Sequence, residues 1–125
     1  MIYTSYFANL RKIDRQKYLT ISVAKYNPKG LEVDYHFASI APLESTLRAI
    51  KNGEITWEQY IGRYWLQMSD FDFKDFIKVC KELEEETKKD IVLLCYEKPP
   101  EHCHRHLFAM MVKWSTGYII NELEF

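Results

Sequence analysis

One short segment constrains the fold of this chain more than any other. Residues 91–95 (IVLLC) are continuously apolar and lie between a charged stretch and a proline pair. A run of this length is typical of a β-strand that is covered on both faces, as in a parallel sheet. Residues 107–114 are apolar nearly all round and predict a buried helix, which Gly117 is placed to end. With a closing strand over 118–123, the order strand, helix, strand predicts a βαβ unit.

The rest of the chain alternates predicted strands and helices. β-branched and aromatic residues favour strands over 2–7 and 18–24, with a further extended segment over 33–40. Helical spacing of apolar residues predicts three more helices, which begin at Pro42, after Thr56 and after a cap at Ser69 or Asp70. The 125 residues contain no repeat or linker. We therefore predict an α/β fold in which residues 1–125 form a single three-layer domain with a mostly parallel sheet flanked by helices.

Composition narrows the class of protein. The chain is 47% hydrophobic and 28% charged, which suits a folded core, and its net charge of −1 argues against a surface that is basic throughout. No stretch approaches the roughly 20 apolar residues that span a bilayer, and residues 1–5 lack the pattern of a secretion signal. The three cysteines are not spaced like a disulfide framework. These features predict a cytoplasmic protein that has no membrane partner.

The loop after the apolar run concentrates the reactive side chains. In parallel sheets, ligands bind beyond the carboxyl ends of the strands, and a helix that begins near His104 offers unpaired N–H groups and a positive dipole end. Such a position lowers the pKa of a thiol, and Arg105 adds a forked donor for phosphate or carboxylate. The predicted catalytic residues are Cys103, His104, Arg105, Glu97 and Cys95.

Each of these residues has a structural alternative. Cys95, at the buried end of a strand, also suits a core position, and Cys103 is either a reactive thiol or an inert one. Glu97 is a general acid or base, or a partner that orients Arg105. The two cations at 104 and 105 suit helix capping poorly, because the helix dipole disfavours positive charge at that end unless an anion is bound.

Metal binding is a further alternative. His102, His104 and His106, together with Cys95 and Cys103, are of the ligand types that zinc accepts. However, adjacent residues of a regular helix or strand cannot all point at one ion, and the paired Cys-x-x-Cys spacing is absent. We therefore predict neither a metal nor a cofactor.

These motifs resemble a known family, the domain of unknown function 488. Its signature is an apolar strand, Cys-x-Glu, a short proline-containing loop, then Cys-His-Arg and an apolar helix, matched here by residues 93–99 and 103–107. Residues 2–10, 21–28 and 60–64 resemble the compact branch of the family. The resemblance implies a compact α/β sheet domain with signature positions Cys95, Glu97, Cys103, His104 and Arg105, and it implies no reaction.

Three functions are compatible with this loop. The first is an enzyme acting on a nucleotide, a nucleic-acid end or a phosphorylated or carboxylated metabolite, with Cys103 or Cys95 as nucleophile. The second is a non-catalytic module that binds a nucleotide, a nucleic acid or a protein through the same loop. The third is a structural loop braced by its own ion pair. Residues at the ends of the first two strands are predicted to complete a substrate-binding pocket: Tyr3, Ser5, Tyr6 and Lys25.

Overall fold

The apolar run at 91–95 forms the central strand of a parallel sheet. The computed structural model describes residues 1–96 and 103–125. In these residues the strands are β1 (Ile2–Tyr6), β2 (Tyr18–Ser22), β3 (Tyr35–His36), β4 (Asp90–Cys95) and β5 (Asn121–Glu122). They form one sheet in the order β3-β2-β4-β1-β5, and each neighbouring pair is parallel. The predicted α/β class is confirmed.

The helices follow the predicted pattern, with shifted ends. The α-helices of the described residues are α1 (Glu44–Lys51), α2 (Trp57–Gln67), α3 (Phe73–Thr87) and α4 (His104–Thr116). Thr56 caps α2 as predicted, through a reciprocal capping box with Gln59. The predicted cap of α3 is wrong by two or more residues. Asp72 caps this helix, because its carboxylate accepts the Asp75 N–H, whereas Ser69 and Asp70 belong to a preceding 3-10 turn.

Two hydrophobic clusters cover the two faces of the sheet. Ile91 and Leu93 of β4 point into the larger cluster, which also receives apolar side chains from all four α-helices. Val92 and Leu94 point the other way, into a smaller cluster that includes Phe7 of the 3-10 helix Phe7–Lys12. In the described residues the outer layers are therefore unequal, with the α-helices on one face and the 3-10 helix Phe7–Lys12 on the other. The described residues include no helix that is long and apolar enough to span a membrane.

The closing strand is shorter than predicted, and β1 lies between it and β4. β5 covers Asn121 and Glu122 only, and it pairs with β1 rather than with β4. The Tyr118 hydroxyl, which precedes the strand, accepts the backbone N–H of Ile2 at 3.1 Å. Because β5 pairs with β1, the side chain of Glu122 lies beneath the start of α4, where its carboxylate accepts hydrogen bonds from Arg105.

Candidate functional site

A cavity of about 590 Å³ opens beyond the carboxyl ends of the neighbouring strands β2 and β4. This position is the one at which open parallel sheets bind ligands, and the volume suits a small molecule. The lining residues come from the ends of both strands, from α1 and α2 and from the start of α4: Ala24, Lys25, Tyr26, Pro42, Leu47, Ile50, Lys51, Trp57, Tyr60, Cys95, Tyr96, Cys103 and His104.

Cys95 and Cys103 meet at the inner end of this cavity. Cys95 is the last residue of β4, and Cys103 is the N-cap residue of α4. Their sulfurs are joined as a disulfide, and both residues line the cavity although their exposed fractions are only 0% and 3%. The sequence predicts both residues as site residues but does not pair them. Cys80, the remaining cysteine, lies in the core as a free thiol, and burial raises its pKa to about 12.

His104 is held in one orientation by the end of β2. Its Nε2 lies 2.6 Å from the carbonyl oxygen of Val23, and its Nδ1 lies 3.9 Å from the sulfur of Cys103. A carbonyl oxygen can only accept, so Nε2 carries the proton and Nδ1 presents its lone pair toward the sulfur. Burial, with a smaller contribution from the nearby charge of Arg105, lowers the pKa of His104 to about 4. The imidazole is therefore neutral at physiological pH.

Arg105 lies beneath the cavity and does not line it. Its side chain is fully buried and donates two hydrogen bonds to the carboxylate of Glu122, from Nε at 3.1 Å and from Nη2 at 2.9 Å. Nη1 donates to the sulfur of Cys95 at 3.0 Å, and the guanidinium lies 5.7 Å from the centre of the Tyr6 ring. The guanidinium thus connects β5 to the cysteine pair.

Glu122 forms an ion pair with this buried cation. Burial alone would raise its pKa, but hydrogen bonds from His106, Arg105 and Thr4 lower the pKa to about 2. The carboxylate is therefore ionised at neutral pH, and the bidentate geometry is the one that suits an Arg–carboxylate pair. The sequence offered no signal for this pairing, because the residues are 17 positions apart and meet only through the short β5 strand.

The remaining predicted site residues divide between the cavity and the sheet. Lys25 lines the cavity, beside the end of β2. Tyr6 contacts Arg105, and Ser5 is fully buried and accepts a hydrogen bond from Asn9. Tyr3 packs against Tyr18 on the face that carries the smaller cluster. Glu97 lies outside the described residues.

Sequence reasoning missed the wall that faces the cysteines. Trp57 and Tyr60 of α2 are stacked with ring centres 4.8 Å apart, and Lys51 ends α1 beside them. In the sequence, the two aromatic residues belong to the apolar stripe of a helix, and Lys51 belongs to a charged helix end. These residues line the cavity because α1 and α2 pack over the end of the sheet, and the sequence pattern alone does not distinguish them from ordinary core and surface residues.

The fold and the site define an α/β domain with a cysteine–histidine cavity at the carboxyl edge of a parallel sheet. The chain belongs to the DUF488 family: the model DUF488-N3a, described as an "Active DUF488-N3 subclade", matches residues 4–116. The match runs from within β1 to the end of α4 and includes Cys95, Cys103, His104 and Arg105. No curated protein and no solved structure matches the chain.

Proposed function

We propose that this protein is a cytoplasmic enzyme that binds a small substrate bearing a phosphate or carboxylate in the cavity and attacks it with the reduced thiol of Cys103. The observation that carries the proposal is the convergence of Cys103 and His104 on one cavity at the carboxyl edge of the sheet. A nucleophile and a base within reach of each other and of a cavity form the minimal constellation for covalent catalysis. The description of the matching subclade as active supports an enzymatic role.

The charges around the cavity favour an anionic ligand. Of the described residues that line it, the charged side chains are Lys25 and Lys51, while His104 is neutral at physiological pH. The first turn of α4 adds backbone N–H groups and the positive end of its dipole. The neighbouring aromatic side chains of Trp57 and Tyr60 provide apolar surface for the rest of the substrate.

The proposed chemistry begins with the reduced cysteine pair, which the cytoplasm would maintain. As the sulfur of Cys103 attacks the electrophilic atom of the substrate, its proton passes to Nδ1 of His104, whose other nitrogen is held by Val23. The leaving group then takes that proton. Nη1 of Arg105 donates a hydrogen bond to the sulfur of Cys95, which holds the second cysteine beside the first.

The disulfide favours a second candidate function. A disulfide sulfur is not a nucleophile, so the protein with the Cys95–Cys103 bond has a cavity without a reactive thiol. In this state the domain would bind the same anionic ligands, or a nucleic-acid end, without turnover. The two functions differ in their dependence on the redox state of one cysteine pair, and a single experiment separates them.

Two chromogenic probes test the proposal: p-nitrophenyl phosphate and a nitrophenyl ester that carries a free carboxylate. The protein is reduced, freed of reductant and mixed with each probe, and the release of nitrophenolate is followed. We expect an initial burst of about one equivalent per chain with at least one probe, which is the signature of a covalent intermediate. The oxidised protein should give no burst.

The matched variants are Cys103→Ser and Cys80→Ser. The first should abolish the burst, and the second should retain it, because Cys80 lies in the core away from the cavity. A burst that survives in Cys103→Ser would contradict the enzymatic proposal. Stabilisation of the oxidised protein by inorganic phosphate, with no release from either probe, would establish binding without catalysis.

A further inference from the structure

Three potential metal-ligand atoms converge in the cavity: the sulfurs of Cys95 and Cys103 and Nδ1 of His104. They all lie within 4.8 Å of one another, and all three residues are buried. From this geometry we propose that the reduced protein binds one Zn²⁺ through these three atoms, with the fourth coordination position facing the cavity. Two cysteines and one histidine with an open position form a ligand set that zinc accepts at catalytic sites.

The surroundings of His104 fit a zinc ligand. Metal-bound histidines almost always donate their second ring N–H to a carbonyl or carboxylate, which fixes the ring and the tautomer. Here Nε2 donates to the carbonyl oxygen of Val23 at 2.6 Å, so the lone pair of Nδ1 is directed toward Cys103 without any metal-induced rearrangement. Adjacent residues of a helix or strand cannot all point at one ion, but here only one histidine is needed. The hydrogen bond to Val23 orients His104 toward the cysteines, while His106 pairs with Glu122 instead.

The surroundings of the cysteines fit as well. Nη1 of Arg105 donates to the sulfur of Cys95 at 3.0 Å, and hydrogen bonds of this kind stabilise a thiolate ligand. The Cα atoms of Cys95 and Cys103 lie 7.5 Å apart. This separation is longer than the roughly 4.4–6.8 Å usual for disulfides, so the backbone leaves room for the two side chains as separate thiols.

Zinc binding and the disulfide are alternative states of the same sulfurs. A phosphine reductant supplies two electrons to the disulfide and is oxidised to the phosphine oxide, while water supplies the two protons of the resulting thiols and the oxygen of the oxide. Binding of Zn²⁺ then releases two protons and forms two zinc–sulfur bonds. A bound zinc also occupies the thiol that the proposed covalent chemistry uses, so we expect zinc to protect Cys95 and Cys103 from alkylation. The inference goes beyond the proposed enzyme and does not depend on a substrate.

The experiment is a metal titration of the full chain, reduced by a phosphine and kept free of oxygen. Zn²⁺ affinity is measured in competition with a chromophoric chelator, and Co²⁺ is used as a spectroscopic probe. We expect one equivalent to bind, with absorption bands from cobalt–thiolate bonds. Wild-type protein with its disulfide closed should bind at least about 100-fold more weakly, since losing even one outer-shell partner costs about 10–100-fold. This comparison needs no variant and controls for other histidines.

Two matched variants complete the test. Cys103→Ser should bind Zn²⁺ as weakly as the oxidised wild-type protein, and its Co²⁺ complex should lack the cobalt–thiolate bands. Cys80→Ser should bind like the reduced wild type. Circular dichroism confirms that each variant is folded. Equal binding by the reduced and oxidised proteins, or unchanged binding in a folded Cys103→Ser, would overturn the inference. Because no substrate is present, these results stand apart from the nitrophenolate assay, and either proposal can fail alone.

Discussion

The imidazole of His104 and the backbone carbonyl of Val23 are joined by a hydrogen bond of 2.6 Å, which ties the start of α4 to the end of β2. This contact fixes which nitrogen carries the proton and turns the other nitrogen toward Cys103. It also holds a buried histidine, which is neutral at physiological pH, in a cavity lining that includes Lys25. Both the proposed base and the proposed zinc ligand depend on this single orientation.

The buried state of His104 makes stability depend on pH. Its pKa falls from 6.5 in the unfolded chain to about 4 in the fold, so the unfolded chain takes up the proton first as the pH is lowered. The contribution of neutral His104 to the free energy of unfolding is fully present above pH 6.5. It is lost as the pH falls from 6.5 to 4, and the loss is on the order of 3 kcal/mol.

Urea unfolding of reduced wild type and His104→Gln at pH 7 and pH 4.5 measures this loss. Glutamine can still donate to the Val23 carbonyl, but it does not titrate, so the variant should lose less free energy of unfolding over this interval. The other acidic groups are common to both proteins and cancel in the comparison. The same loss in both proteins would show that His104 is not the titrating group.

The Arg105–Glu122 pair is expected to contribute strongly to stability. Glu122→Gln keeps the shape of the side chain but removes the carboxylate charge that pairs with the fully buried guanidinium of Arg105. Breaking a buried ion pair in this way costs about 3–5 kcal/mol, which denaturant unfolding at pH 7 would detect.

The exposed pair Arg48–Glu44 on α1 supplies the matched control. Because it is an i,i+4 pair in solvent, Glu44→Gln should change the free energy of unfolding by no more than about 0.5 kcal/mol. If the two substitutions had equal effects, the buried guanidinium would not need its carboxylate partner.

Lys25 is expected to bind the anionic group of the ligand. Lys25→Ala should weaken the binding of inorganic phosphate by about tenfold, since a charge-assisted hydrogen bond contributes about 1.4 kcal/mol or more. The measurement is the phosphate-dependent rise in melting temperature, followed over a range of phosphate concentrations. The control is Lys12→Ala, which removes an exposed cation from the 3-10 helix Phe7–Lys12, away from the cavity lining. Equal losses in the two variants would indicate only a general effect of net charge.

The sequence predicted those parts of the fold that depend on local patterns. The apolar run identified β4, Thr56 identified the start of α2 as its N-cap, and Gly117 identified the end of α4, where it adopts the left-handed conformation with φ of 77°. The shortness of β5 and its pairing with β1 were not predictable, because the order of strands depends on long-range packing. The thin layer over the second face depends on packing in the same way.

The candidate site was predictable in its chain positions but not in its geometry. Cys95, Cys103 and His104 were identified by their place after a strand and before a helix, and the structure brings them together. Arg105 was expected to face the ligand, yet it turns inward, because β5 presents the carboxylate of Glu122 beneath α4. The sequence near Arg105 does not indicate this partner, because Glu122 lies on a separate strand, β5.

The reactivity of the Cys103 thiol is tested most directly by alkylation of the reduced protein with iodoacetamide at pH 7, measured cysteine by cysteine with peptide mass spectrometry. Cys103 lines the cavity at the start of α4, whereas Cys80 lies in the core with a pKa raised to about 12. We predict that Cys103 reacts at least about 100-fold faster than Cys80, because the thiolate is the reactive form and, of these two cysteines, Cys103 is the one that lines the cavity at a helix N-terminus. Equal, slow modification of both, at the rate of global unfolding, would contradict the account.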